Sequence, residues 1–203
     1  MRLPFFASFA ALALSAASAS AASVTITFET APPRFLLAPV SEAGFTYGVG
    51  SGSLWVGSNG NPGQDMEGDG LGGDGVLRVV SDAGAAFRLL GFDVSAWNAV
   101  AGTPATITFT GLLGGVAVGT DGYTVTAVDT FPYTNWRTEL PGSLAGRVMD
   151  TLLIGLPAST DDTAWANVDN LRLAVADVPE PASLALLGAG LLGAAVARRR
   201  RST

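Results

Sequence analysis

Short apolar runs, each bounded by turn residues, fill the chain between Val24 and Val175. Within these runs apolar and polar residues alternate, which is typical of strands with one buried face. Gly, Pro, Asn and Asp end the runs, and no long stretch is rich in helix-forming residues. The pattern predicts an all-β domain with strands at residues 24–29, 45–49, 53–56, 76–80, 86–94, 105–110, 123–128, 150–156 and 168–175.

The spacing of the predicted strands indicates how they pack. Short strands separated by turns, without helices between them, predict an antiparallel β-sandwich with a jelly-roll-like strand order. No internal repeat is visible in the sequence, which argues against a solenoid or a propeller. Residues 57–75, dense in Gly, Asn, Asp and Pro, are predicted to form a loop.

The composition excludes several classes of function. The chain of 203 residues has no histidine and no cysteine, so Ser-His-Asp and Cys-His catalysis and thiolate or imidazole metal sites are excluded. Any metal would be a hard ion bound by oxygen atoms, of which calcium suits an exported protein. Between Val24 and Asp177 there are six arginines, no lysine and sixteen acidic residues. This excess of negative charge excludes nucleic acid as a partner.

The first 22 residues have the layout of a secretory signal peptide. Met1-Arg2 is a short basic start, residues 3–17 are apolar apart from two serines, and a tract of small residues follows. Cleavage is predicted after Ala21 or Ala22. The alternative is an uncleaved membrane helix, but an apolar run of roughly 15 residues is short for one.

The C-terminal end has three parts in a fixed order. An extended spacer, an uncharged run at residues 182–197 and a basic cluster follow one another. The run predicts one short transmembrane helix of roughly 24 Å, oriented by the basic cluster on the cytoplasmic side. A buried core helix is the alternative, but the chain offers no partner for a helix that is apolar all round. The spacer is Val178, Pro179, Glu180 and Pro181, and the basic cluster is Arg198, Arg199, Arg200 and Arg201.

This C-terminal end resembles the PEP-CTERM sorting signal of exported bacterial proteins. The resemblance implies a signal peptide at 1–22, a mature β-sandwich domain at 23–177 and a sorting signal at 178–201. It implies as partners the general secretion machinery and an exosortase, a membrane transpeptidase that cuts at the motif. It also implies an exported protein of the cell surface or extracellular matrix, with a membrane-anchored intermediate before processing, as for a removed GPI signal.

Three segments of the middle resemble jelly-roll carbohydrate-binding modules. They are Phe28-Glu29, residues 87–94 and residues 168–171. In those modules the first and last strands are neighbours, and an acid from each joins loop oxygens around a structural calcium. The resemblance therefore implies Glu29 and Asp169 as calcium ligands. The loop acids that could complete the set are Asp69 and Asp74.

Two simpler roles for these acids stay open. Glu29 is equally consistent with a polar residue that caps a strand end. Asp169 and Asn170 are equally consistent with a turn or with a polar pair at a sheet edge.

Aromatic residues with amide neighbours suggest a binding surface for polysaccharide. The proposed platform consists of Trp97, Asn98, Tyr133 and Trp136. For Trp136 a position in the core is an equal alternative, because large aromatic side chains dominate protein cores. Trp55, in an alternating strand, is predicted to lie in the core.

These observations predict an exported protein without catalytic activity that binds exopolysaccharide, with calcium as its only candidate cofactor. Two alternatives remain. One is a structural or adhesive matrix protein with no specific ligand. The other is a glycan hydrolase that uses pairs of acids, such as those crowded in the 57–75 segment.

Overall fold

A computed structural model describes residues 23–59, 61, 63–68, 74–159 and 163–176. Twelve strands lie in this part of the chain, and the described residues contain no helix. The strands are β1 (Ser23–Ile26), β2 (Val40–Glu42), β3 (Phe45–Ser51), β4 (Leu54–Gly57), β5 (Asp65–Gly68), β6 (Gly75–Ser81), β7 (Phe87–Trp97), β8 (Pro104–Leu113), β9 (Val116–Thr126), β10 (Arg137–Glu139), β11 (Thr151–Leu156) and β12 (Trp165–Val175).

The strands form two antiparallel sheets that pack face to face as a sandwich. Sheet A has the order β10-β7-β12-β5-β4, with β1 also paired to β12, and sheet B has the order β2-β3-β6-β11-β8-β9. The predicted all-β sandwich is therefore confirmed. The first strand is also a neighbour of the last, because Ile26 pairs with Leu171. The jelly-roll assignment stays a prediction.

The prediction was wrong in one segment that matters for the site. The 57–75 segment contains β5, which pairs with both β4 and β12. The sequence pattern does not reveal this strand, because its outward residues Asp65 and Glu67 are acidic and Met66 is the one large apolar residue on its inner side. Gly68 allows close packing, since a Cβ there would lie 2.7 Å from the carbonyl oxygen of Pro157.

The core between the sheets contains aromatic contacts that join them. Phe92 of sheet A stacks on Phe109 of sheet B, with ring centroids 4.0 Å apart, and Tyr123 packs edge-on against both rings. Phe45 and Phe87 form a second contact between the sheets at 5.1 Å. All four phenylalanines are at most 1% exposed. Burial of this much apolar area is the main contribution to folding.

A bulge divides β12 into two halves that place alternate residues in the core. Before it Ala166 and Val168 are buried in the core, and after it Leu171 and Leu173 are. The change of parity occurs at Asn170, whose φ of 48° lies in the left-handed region that Asn tolerates better than most residues. The residues between them, including Asp169, therefore lie on the outer face of sheet A.

No helix long and apolar enough to cross a membrane is found among the described residues. The predicted signal peptide and the predicted transmembrane segment at 182–197 lie outside them.

We expect Phe109→Ala to lower the free energy of unfolding by about 3–5 kcal/mol, because it removes the ring that joins the two sheets. Urea unfolding of a 23–176 fragment, which contains all twelve described strands, measures the change. The matched control is Leu113→Ala at the 44% exposed end of the same strand, with an expected change within about 0.5 kcal/mol. A cost for Phe109→Ala no larger than that of the control would contradict the packing described.

Candidate functional site

The outer face of sheet A, which points away from sheet B, carries polar side chains and tryptophans. Because side chains alternate along a strand, the residues between the core positions all point outward. Cross-strand register places Trp55 opposite Glu67, Glu67 opposite Asn167 and Asn167 opposite Ser95. The outer face is defined here by Trp55, Asp65, Glu67, Asp93, Ser95, Trp97, Trp165, Asn167 and Asp169.

Acidic residues form one row across this face. Asp169 lies opposite Asp93, and Thr138 of β10 donates a hydrogen bond to Asp93 at 2.7 Å. The pairing of β5 with β12 ends at Met66 and Val168, the residues next to Asp65 and Asp169, and the charge of Asp65 acts on the carboxyl group of Asp169. The ion pair of Arg172 with Asp93, at 3.3 Å, neutralises part of the charge of this row.

Asn59 connects the acidic row to the loop that carries the aromatic residues. Its backbone N–H and its Nδ2 donate to Asp65 at 2.9 and 2.8 Å, and Nδ2 also donates to Glu67 at 3.3 Å. Its carbonyl oxygen accepts from the backbone N–H of Tyr133 at 3.1 Å and from Nε1 of Trp136 at 3.3 Å. Asn59 therefore fixes the 131–136 loop over the outer ends of β4 and β5.

Burial raises the pKa values of two carboxyl groups in the row. Desolvation raises the pKa of Asp65 to about 6, although the hydrogen bonds from Asn59 act to lower it. Desolvation also raises the pKa of Asp169 to about 7, and the charges of Asp65 and Asp93 raise it further. Asn61, which donates to Asp169 at 2.6 Å, and Asn170 act in the opposite direction. Asp65 and Asp169 are at most 1% exposed, so they lie beneath the surface of the outer face and stabilise it from there.

Aromatic rings form a continuous series next to the acidic row. Trp97 stacks on Trp165 with ring centroids 4.9 Å apart, and on Tyr133 at 6.4 Å. Phe131, which is 68% exposed, packs edge-on against Tyr133. On the other side of β5, Trp55 packs edge-on against Phe35 at 4.9 Å.

A pocket of about 220 Å³ lies between Trp55 and this series, lined by Trp55, Glu67, Gly68, Tyr133 and Trp165. Its aromatic walls with one carboxylate fit the general character of ligand sites, which are mostly apolar with few polar groups. The strands of Trp55 and Trp165 are separated by β5, so the two walls are about 10 Å apart at their base.

Two buried polar atoms on this face have no hydrogen-bond partner among the described residues. They are Nε1 of Trp165, in the pocket wall, and Oδ1 of Asn167, which lies between Glu67 and Ser95. The amide nitrogen of Asn167 donates to Ser95 at 3.1 Å, so only its oxygen is unpaired. Unpaired buried groups cost about 1–3 kcal/mol each.

The structure brings together three of the four residues predicted to bind polysaccharide. Trp97, Tyr133 and Trp136 lie at the outer face of sheet A. Asn98 does not belong to the site, because it is 5% exposed and has structural hydrogen bonds to the backbone of Val100 and Thr163, at 2.9 and 3.2 Å.

Trp55 was predicted to lie in the core, and this was wrong. Leu54 and Val56 on either side of it are buried, so the alternation of β4 points Trp55 outward. The same parity argument could have placed Trp165, which the prediction also missed, but it required the exact limits of β12. Glu67 was missed because β5 was predicted to be part of a loop.

The residues predicted to bind calcium do not all lie at one site. Glu29 accepts a hydrogen bond from the backbone N–H of Gln64, and Asp169 accepts from Asn61 in the same loop. Asp74 accepts from Ala158 at 3.0 Å, beyond the opposite end of β5, so it does not join them. Asp69 lies outside the described residues. Within the described part of the chain no group of three or more acids has the geometry to hold a metal. Calcium binding by Glu29 and Asp169 stays a prediction.

Comparison with known proteins identifies the C-terminal segment. Residues 177–201 match the PEP-CTERM protein-sorting motif, which indicates an exported protein that an exosortase sorts. The sorting residues Val178, Pro179, Glu180 and Pro181 and the cluster Arg198, Arg199, Arg200 and Arg201 lie outside the described residues. The comparison with curated proteins found no match.

Solved structures resemble this chain at low sequence identity. A DUF4465 family protein from Bacteroides caccae has a TM-score of 0.50 at 13% identity, over 76% of this chain and 100% of that one. The K1 cleaved adhesin domain of Lys-gingipain from Porphyromonas gingivalis has a TM-score of 0.43 at 14% identity, over 77% and 99%. A family 11 carbohydrate-binding module from Clostridium thermocellum has a TM-score of 0.37 at 15% identity, over 77% and 98%. At these identities the likeness concerns the fold alone.

The two raised pKa values predict how stability depends on pH. Between about pH 4 and pH 7 the folded state binds more protons at Asp65 and Asp169 than the unfolded chain does. The free energy of unfolding should therefore fall as the pH rises through this window, by about 1.4 kcal/mol for each pKa unit. Asp169→Asn should flatten this fall in urea unfolding measured at several pH values.

Asp121→Asn is the matched control for this experiment. Although partial burial acts to raise its pKa, hydrogen bonds from the backbone N–H groups of Leu144, Ser143 and Gly142 hold the pKa of Asp121 below its usual value. Above about pH 5 Asp121 is ionised in both states, so from there to pH 7 its loss lowers stability without changing the slope. An Asp169→Asn slope equal to that of the unmodified protein would show that Asp169 does not titrate as described.

Proposed function

We propose that this protein is an exported glycan-binding protein of the cell surface, which binds a polysaccharide chain on the outer face of sheet A. The observation that carries the proposal is the placement of the tryptophans. All four are found at this outer face, and three of its aromatic side chains, Trp55, Tyr133 and Trp165, surround one pocket. Large aromatic side chains contribute most to stability in a core, so their collection on one outer face favours a binding function.

The chemistry of the pocket matches a sugar ring. Aromatic side chains offer flat apolar surfaces on which the C–H face of a pyranose ring packs, and the rim of hydroxyl groups needs hydrogen bonds. The carboxylate of Glu67, in the pocket wall, supplies an acceptor for these hydroxyl groups. A volume of about 220 Å³ suits one ring of a chain. The series from Trp97 to Phe131 offers surfaces for its neighbours.

A hydrolase is the alternative that one observation favours, because Asp65 and Asp169 form a pair of carboxyl groups with raised pKa values. Both are buried and both accept hydrogen bonds from asparagines of the 58–65 segment. Their role as supports of the face therefore fits the geometry better than contact with a substrate. Release of reducing ends from a bound glycan, lost in Asp65→Asn, would favour the hydrolase instead.

Substitution of the pocket walls tests the proposed binding. On a glycan array, Trp55→Ala and Trp165→Ala should each weaken binding by roughly tenfold or more, while the melting temperature changes little because both rings are partly exposed. Leu113→Ala, at the exposed end of β8 in sheet B, is the control that should bind as the unmodified protein does. Binding to no glycan on the array would favour a structural or adhesive matrix protein.

The sorting motif generates a separate prediction. Replacement of Pro179, Glu180 and Pro181 by alanine should block cleavage by the exosortase, because the extended spacer that it recognises is lost. Immunoblots of cell fractions should then show uncleaved protein in the membrane, instead of protein at the cell exterior. Unchanged release of this variant would show that processing does not depend on the spacer. The control is Ser202→Ala, which leaves the spacer intact. A control inside β12, such as a substitution of Val175, is unsuitable because it disturbs the fold.

A further inference from the structure

Among the residues that the structure describes, the walls of the pocket combine aromatic rings with a carboxylate and contain no basic residue. Trp55, Tyr133 and Trp165 provide the rings, and Glu67 lies on the strand between the first and the last of them. Aromatic faces carry partial negative charge and attract cations, and recognition of ammonium groups by several rings is the usual functional form of this interaction. The pocket therefore offers a cation both a π surface and a counter-charge.

The surroundings of the pocket strengthen its negative potential. Asp65 lies two residues from Glu67 on the same face of β5. Burial raises the pKa of the Tyr133 hydroxyl, and the charges of Glu67 and Asp65 raise it further, so the field of both acids reaches the pocket wall. An anionic glycan, such as one built from uronic acids, would meet repulsion at this position.

No described arginine on or beside sheet A lines the pocket. On sheet A, Arg172 pairs with Asp93 and Arg137 pairs with Glu139 at 2.7 Å, both on the β7 side of the sheet. Arg88 lies at the far end of β7, opposite Ala174. Arg34 is exposed at the edge beside β4. It lies two residues before Leu36, whose side chain faces the core, so alternation directs Arg34 away from the outer face.

We infer that the pocket selects a glycan that carries free amino groups, and binds the protonated amine of an amino sugar between Trp55, Trp165 and Glu67. This inference rests on the proposed function, since it names the class of sugar that the same pocket takes. A glycan fits better than a basic peptide because the aromatic series continues beyond the pocket along Trp97, Tyr133 and Phe131, which suits successive sugar rings.

Calorimetric titration with matched oligosaccharides tests the inference. The full-length chain is solubilised in a polyoxyethylene detergent, which has no sugar headgroup, and titrated with β-1,4-linked oligomers of glucosamine, N-acetylglucosamine and glucose of equal length. The glucosamine oligomer should bind at least roughly tenfold more tightly than the other two, since acetylation removes the charge and glucose lacks the amine. Equal affinities for the three would overturn the inference and leave the proposed function standing.

Substitution of Glu67 separates the role of charge from that of shape. Glu67→Gln keeps an acceptor oxygen but removes the charge, so it should weaken binding of the glucosamine oligomer roughly tenfold more than it weakens binding of the two neutral oligomers. Glu139→Gln removes a carboxylate from β10 of the same sheet, outside the pocket, and should change neither. A glucosamine affinity unaffected by Glu67→Gln would overturn the inference. Melting curves check that both variants fold.

The remaining outcomes also have defined meanings. If no oligomer binds, and none of the glycans of the array binds either, the proposed function fails together with the inference. A lysine-rich peptide is titrated in parallel. If it binds more tightly than the glucosamine oligomer, and Glu67→Gln weakens it, the pocket recognises a peptide cation and the inference is wrong.

Discussion

The register of β12 against its neighbours determines what each face of sheet A displays. This strand pairs with β7 on one side and with both β5 and β1 on the other. Because side chains alternate, a shift of one residue would move Val168 out of the core and turn Asn167 and Asp169 into it. The bulge at Asn170 lets both halves of the strand bury apolar residues while Trp165 and Asp169 stay on the outer face. The core and the candidate site therefore depend on the same pairing.

Asn59, in the 57–65 segment, connects the paired strands of sheet A to the aromatic loop of the outer face. Asn59 binds the buried carboxylate of Asp65 on one side and the backbone of the aromatic loop on the other. Gly57 allows this path, because a Cβ at that position would lie 2.5 Å from Nδ2 of Asn59. Two acids with raised pKa values under the face cost stability near neutral pH. Proteins tolerate such costs mainly where function requires them, which is consistent with a binding role for this side of the sandwich.

The sequence was sufficient for the fold class and for the C-terminal sorting motif, and insufficient for the site. Alternation in runs such as 105–110 and 150–156 predicted strands that the structure contains, because their apolar residues face one core. The acidic outward residues of β5 concealed a strand, and with it Glu67. Trp55 was assigned to the core from the general preference of tryptophan, although the parity of Leu54 and Val56 points it outward. The pocket joins residues from positions 55 to 165, and only the cross-strand register brings them together.

The most direct test of the central claim is a two-dimensional NMR titration that follows the indole N–H signals of the four tryptophans. The 23–176 fragment is titrated in turn with the oligomers of glucosamine, N-acetylglucosamine and glucose. The account predicts that at least one oligomer shifts the signals of Trp55 and Trp165, which line the pocket, more than that of Trp136, whose Nε1 donates to Asn59. Unchanged indole signals with all three oligomers, or shifts confined to backbone amides of sheet B, would contradict it.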